Sequence, residues 1–146
     1  MIKMVLLAFF GSAFPVVLFN IDRKKIIFTG IAGALGWIAY SIVFDKTGSA
    51  IMASFFGALA LNIYSECMAR ILKTPASMFC IPGIFPLVPG ITAYSAITYF
   101  VDKNFNMAQS KGLLTLGIAG AIGFGILISS SVIEYIFKLR KYCVNS

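Results

Sequence analysis

The chain has 146 residues, of which 60% are apolar and only 12% charged, with a net charge of +7 and a mean hydropathy of +0.94. A soluble domain carries about 25% charged residues, so this chain lacks the charge to cover a water-exposed surface, and a soluble or secreted globular protein is excluded. Histidine is absent and three cysteines sit at 67, 80 and 143 without ligand spacing, which points to no metal site, no cofactor and no disulfide framework.

One helical crossing of a hydrocarbon core about 30 Å thick takes roughly 20 apolar residues. The apolar runs therefore predict an all-α integral membrane bundle of four to five transmembrane helices in a single domain over residues 1–146, with spans at about 2–19, 26–44, 50–69, 78–100 and 112–137. The first run begins like a signal peptide, with Lys3 ahead of an apolar stretch and the small pair Ser12 and Ala13. Apolar character resumes at Phe14, so it is read as a retained span. It is short and carries Pro15, so it either crosses fully or re-enters on the same side.

The second and fifth spans share a heptapeptide, GIAGALG at residues 30–36 and GIAGAIG at residues 117–123, and the third carries Ala50, Ala53, Gly57 and Ala60. Small residues on one helix face let a neighbouring backbone approach closely. The heptapeptides are read as packing glycines, with the relic of an inverted repeat as the other reading. More small-residue surface is present than one small bundle needs, which admits a higher oligomer.

Two acids lie within or at the end of apolar spans. Glu66 precedes Arg70 by four residues and Glu134 precedes Lys138 by four, the favourable helical order. Each pair is either an interfacial ion pair that anchors its helix or a proton-coupling site, since acids within spans often mark relays. Asn62 and Ser65 near Glu66, and Ser129, Ser130 and Ser131 near Glu134, extend a polar path on either reading.

The fourth run contains the least regular stretch, CIPGIFPLVPGITAY at residues 80–94. Pro82, Pro86 and Pro89 each remove a backbone donor and clash with the preceding turn, and Gly83 and Gly90 permit dihedrals that other residues avoid. A broken helix is expected. Unpaired backbone groups survive in a bilayer only where protein or a wet cavity covers them, and transporters use such breaks to hold solutes near the midplane. A half-helix starting near Gly90 would offer the N–H groups of Ile91 and Thr92 to a carboxylate. Thr92, Ser95 and Tyr99 share one face, with Tyr94 and Thr98 beside them. Pro82, Gly83, Pro86, Pro89, Gly90, Thr92, Tyr94 and Ser95 are thus the candidate substrate-binding residues. The competing reading is a kinked helix whose hydroxyls bond their own backbone.

Basic residues concentrate in cytoplasmic loops. In a five-span alternation Arg23, Lys24, Lys25, Arg70, Lys73, Lys138, Arg140 and Lys141 share one side, and Lys3, Lys46, Lys103 and Lys111 the other. The N-terminus is expected outside and the C-terminus in the cytoplasm. The positive charge is then a topology and lipid signal, and no nucleic-acid partner is expected.

The string Lys73-Thr74-Pro75-Ala76, followed by Ile81-Pro82-Gly83-Ile84-Phe85-Pro86-Leu87-Val88-Pro89-Gly90 and Tyr94, resembles the signature of the threonine/serine exporter family, and the chain resembles its short membrane-only branch. The hydropathy resemblance covers the whole length; the specific match lies in residues 66–94. It implies proton-motive-force-driven export of small hydrophilic solutes, threonine and serine or succinate, across the bacterial inner membrane. It also implies a two-component assembly in which a short subunit works with a larger membrane subunit. The competing classes are a non-transporting scaffold and an intramembrane enzyme. The enzyme is set aside, since the chain has no histidine, no G-x-S-x-G elbow and no catalytic residue to nominate.

Overall fold

The computed structural model describes residues 2–18 and 25–144, without the side chains of residue 18 and of residues 139–144. The C-terminal edge of the first expected span, with Arg23 and Lys24, lies outside the described residues, as do the side chains of Arg140, Lys141 and Cys143. Among the described residues the fold is all helix: α1 (Ile2–Leu18), α2 (Ile26–Thr47), α3 (Ala50–Ile71), α4 (Ser77–Ile84), a 3₁₀ turn (Phe85–Leu87), α5 (Gly90–Val101) and α6 (Phe105–Val144). Three of these, α2, α3 and α6, are long and apolar enough to cross a membrane. The helical stretches on either side of residues 88–89 add a fourth span if the bent pair is one crossing, with a bend of 50°. Helix α1 runs through Pro15 for 17 residues, about 26 Å of rise.

The helix ends follow local chemistry. At the end of α2, Gly48 adopts φ +65°, and its N–H closes on Phe44 O at 2.8 Å. Ser49 then caps α3, accepting from Met52 N at 3.5 Å. Helix α5 ends with Lys103 at φ 59° and Asn104 N donating to Tyr99 O at 2.9 Å, a left-handed cap usually filled by glycine. Asn104 starts α6 at once, its Oδ1 accepting from Met107 N at 3.4 Å. The expected connection over residues 101–111 thereby shrinks to three residues. Hydropathy marks where a helix enters lipid, whereas residues 105–111 are polar yet contain no breaker. Helix α6 has 40 residues, about 60 Å, and so extends well past a 30 Å core.

Helix α2 packs on α1, α3 and α4, while α3 packs also on α6; α5 lies chiefly on α6 and buries no residue. Glycines set the approaches. A Cβ at Gly30 would meet the Phe9 ring, one at Gly33 would overlap the Ser12 side chain, and one at Gly57 would stand 2.9 Å from Gly36 O. Gly125 brings α6 onto α3, where a Cβ would stand 2.7 Å from Phe55 O.

The shared heptapeptide behaves differently in its two copies. In α2 the face of Gly30, Ala32, Gly33 and Gly36 is buried and Leu35 is exposed. In α6 the face of Ile118 and Ile122 is buried, while Gly120 and Gly123 point to open space. The second copy is therefore used through its isoleucines and Gly117, where a Cβ would stand 2.9 Å from Ile51 Cδ1. The core joins Ala32, Ala58, Leu61, Cys80, Leu87, Ile118 and Ile122.

Candidate functional site

The helix break is narrower than the sequence suggests. Pro82 and Gly83 lie inside α4 and are buried; a Cβ at Gly83 would stand 3.2 Å from Leu61 and 3.5 Å from Ala32. The carbonyl that Pro86 cannot serve, Pro82 O, is taken by Phe85 N. The regular backbone stops at Val88, which is extended at φ −60° and ψ 130°. In a continuous helix Gly90 N would donate to Pro86 O; here it donates to Val88 O at 2.8 Å. The next helical bond across the break is Ala93 N to Pro89 O at 3.1 Å. Ile91 N and Thr92 N therefore start α5 without helical acceptors, and the carbonyls of Pro86 and Leu87 lose the donors a helix would supply. Gly90 does not supply a left-handed turn: among the described residues Gly48 is the glycine with positive φ. Prolines 86 and 89 make the break.

A cavity of about 220 Å³ lies against this break. Its walls are residues 86–92, Trp37 and Tyr40 from α2, Ala50 and Ser54 from α3, and Leu114 and Ile118 from α6. That volume is below the range of drug-sized pockets, about 300–1,000 Å³, and suits a small solute. No wall residue carries a charged side chain. Trp37 and Tyr40 stack at 5.1 Å between ring centroids and Tyr40 and Phe44 at 5.7 Å, forming an aromatic column on the α2 side.

Of the residues singled out from sequence, Pro86, Pro89, Gly90 and Thr92 line this cavity, whereas Pro82, Gly83, Tyr94 and Ser95 do not. Tyr94 is 71% exposed. The hydroxyls of α5 are largely spent on their own backbone: Thr92 Oγ1 donates to Pro89 O at 3.0 Å, Ser95 Oγ to Ile91 O at 2.8 Å and Thr98 Oγ1 to Tyr94 O at 3.1 Å. Sequence reasoning missed Trp37, Tyr40 and Ser54. The aromatic spacing of α2 was a signal that something flat lies there, but only the fold brings it to the break.

A second polar locus joins α3 to α6. Asn62, 2% exposed, donates through Nδ2 to Ser129 Oγ at 2.9 Å, to Ser130 Oγ at 2.8 Å and to Ile126 O at 3.3 Å. Ser130 Oγ donates to Glu66 Oε1 at 3.3 Å, and Glu66 Oε2 stands 3.6 Å from Arg70 Nη2. The Arg70 guanidinium in turn lies 3.9 Å over the Phe137 ring. Thus Asn62, Glu66, Arg70, Ser129 and Ser130 form one network, while Ser65 bonds its own helix at Leu61 O and Ser131 its own at Leu127 O. Glu134 and Lys138 are both exposed and make no ion pair with each other. The second ion pair expected on α6 is therefore not formed among the described residues. Leu61 and Ala58 of the apolar core stand between Ser54 and Asn62 on α3, positions about 12 Å apart along the helix axis.

The profile described as "Threonine/Serine exporter, ThrE" matches residues 4–132 of the chain. The chain is also similar to an uncharacterized protein of Haemophilus influenzae (strain ATCC 51907 / DSM 11121 / KW20 / Rd), 25% identical over 129 residues. That alignment covers 80% of this chain and 43% of the relative, so the chain spans less than half the length of the relative it matches. No solved structure matches the chain.

Proposed function

The chain belongs to the threonine/serine exporter family, and from that premise we propose that it is the membrane subunit of a two-component exporter of small hydrophilic amino or carboxylic acids, driven by the proton-motive force. The family is one of transporters and not of enzymes. The cavity at the α4–α5 break carries the reading for this chain. It joins unpaired donors, at Ile91 N and Thr92 N, to unpaired acceptors, at Pro86 O and Leu87 O, in a space of about 220 Å³. Donors at a helix N-terminus attract a carboxylate, and freed carbonyls attract a cation. Such a pair of faces suits a small molecule that bears both.

The proton path belongs to Glu66. It is the acid that reaches inward, through Ser130 to Asn62, while Arg70 holds its other oxygen. Acids so placed in a span serve as relays. The apolar core between Ser54 and Asn62 separates the solute cavity from this network.

A larger companion subunit fits α5, which is packed chiefly on α6 and leaves the break open on its far side. The bacterial inner membrane, with the N-terminus outside and the C-terminus in the cytoplasm, is the location that the basic loops favour. A non-transporting scaffold is the second reading, favoured by the α5 hydroxyls that close on their own helix. Efflux of labelled serine, threonine and succinate from cells with and without this chain and its companion separates the two. Export that depends on both chains supports the exporter; export that continues without this chain supports the scaffold.

A further inference from the structure

We propose that Ser54 is the residue by which the cavity at the helix break selects a hydroxyl-bearing amino acid, an inference that rests on the solute site assigned above. Ser54 is 1% exposed and forms part of the cavity wall. Hydroxyls elsewhere in these helices are satisfied by the carbonyl four residues earlier: Ser65 by Leu61 O at 2.9 Å, Thr115 by Lys111 O at 2.8 Å, Ser129 by Gly125 O at 2.8 Å. Ser54 has the same opportunity at Ala50 O and does not take it; no hydrogen bond joins its Oγ to any described residue. Ser54 is not among the sealed, partnerless polar atoms, of which Thr74 Oγ1 is the one found among the described residues. Its Oγ is free at the cavity wall, so an occupant that pairs with it gains a hydrogen bond the apolar wall does not otherwise offer.

The rest of the wall defines the occupant. It carries the start of a 12-residue helix, α5, with free N–H groups at Ile91 and Thr92, and the stacked faces of Trp37 and Tyr40. It carries no Lys, Arg, Asp or Glu side chain. A dianion entering such a neutral wall would lose its hydration with only one helix end to replace it. A zwitterion fits: its carboxylate takes the α5 amides, its ammonium takes the freed carbonyls of Pro86 and Leu87, and Ser54 Oγ remains for the side chain. A site that hydrogen-bonds a substrate hydroxyl discriminates against the analogue lacking it, because its own buried group is then unpaired. Ser54 is on this account a specificity-determining residue, distinct from the break that holds the charged ends.

The test is efflux of labelled serine and alanine, loaded together, from cells that express the full chain with its companion subunit. In Ser54→Ala the serine-over-alanine ratio is expected to fall roughly two- to tenfold, the worth of one neutral hydrogen bond, with alanine efflux kept or raised. Ser54→Thr, which keeps the hydroxyl, is expected to restore the preference, and succinate in excess is expected not to compete. An unchanged ratio in Ser54→Ala, or an equal loss for both amino acids at matched membrane abundance, would overturn the assignment while leaving the exporter reading intact. Efficient competition by succinate would overturn the neutral-site argument. No efflux of any of the three from the unaltered pair would instead strike the exporter reading itself, and this inference with it.

Discussion

Asn62 on α3 places its Nδ2 2.8 Å from Ser130 Oγ on α6, a contact between residues 68 apart in sequence, and Ser130 passes that contact on to Glu66. Among the described residues this forms a polar clamp across a helix pair that also meets at Gly125, Ala58 and Phe55. Interhelical hydrogen bonds in membranes contribute about 0.6 kcal/mol on average and up to about 2 kcal/mol. Asn62→Leu is expected to destabilise the chain by about 1 kcal/mol. Thermal unfolding in detergent measures it; a variant as stable as the parent would show that the clamp carries nothing.

Glu66 separates anchoring from proton coupling. Glu66→Gln keeps a hydrogen-bond acceptor for Ser130 Oγ and removes the ionisable group. Under the coupling reading, efflux against a gradient is lost while exchange of labelled for unlabelled serine persists. Under the anchoring reading, both persist at near-parental rates.

Gly33 and Gly120 occupy the same place in the two heptapeptides and predict opposite outcomes. A Cβ at Gly33 would overlap the Ser12 side chain, whose Oγ lies 3.4 Å from Gly83 O; a Cβ at Gly120 would meet open space. Gly33→Val is expected to cost about 1–3 kcal/mol through overpacking, and Gly120→Val to stay within about 0.5 kcal/mol. Unfolding of the two purified variants in detergent gives the comparison directly. Equal tolerance at both positions would contradict the α1–α2 packing.

That contrast also marks how far the sequence could be read. Apolar run length located α2, α3 and the bent fourth element, because burial in lipid demands continuous apolar residues whatever the tertiary contacts. It misjudged the start of α6, where residues 105–111 are helical but polar and Asn104 supplies the cap. Pro86 and Pro89 announced the break, since a missing N–H is a local fact. Pro82 sat in the same motif and yet lies within α4, where Phe85 N satisfies its carbonyl. Which face of a glycine heptapeptide is buried, and the meeting of Trp37, Tyr40 and Ser54 at the break, depend on three-dimensional packing that no local pattern encodes.

Orientation is open to direct labelling. Lys73 ends α3 in a left-handed turn at φ 50° and is exposed, so a cysteine there is reachable by reagent. In a background lacking the native cysteines, Lys73→Cys is expected to resist an impermeant maleimide in intact cells and to react after lysis. Labelling from outside would invert the orientation.

The central claim is that the backbone opened between α4 and α5 holds the solute. Pro86→Ala with Pro89→Ala restores two N–H groups, lets α4 run into α5 and closes the unpaired donors and acceptors on each other. The deciding measurement is the initial rate of labelled serine efflux from cells that express the double variant with the companion subunit, at membrane abundance matched to the parent. Loss of at least tenfold in efflux, with insertion intact, is the predicted result. Efflux at the parental rate would contradict the claim and reduce the break to a packing kink.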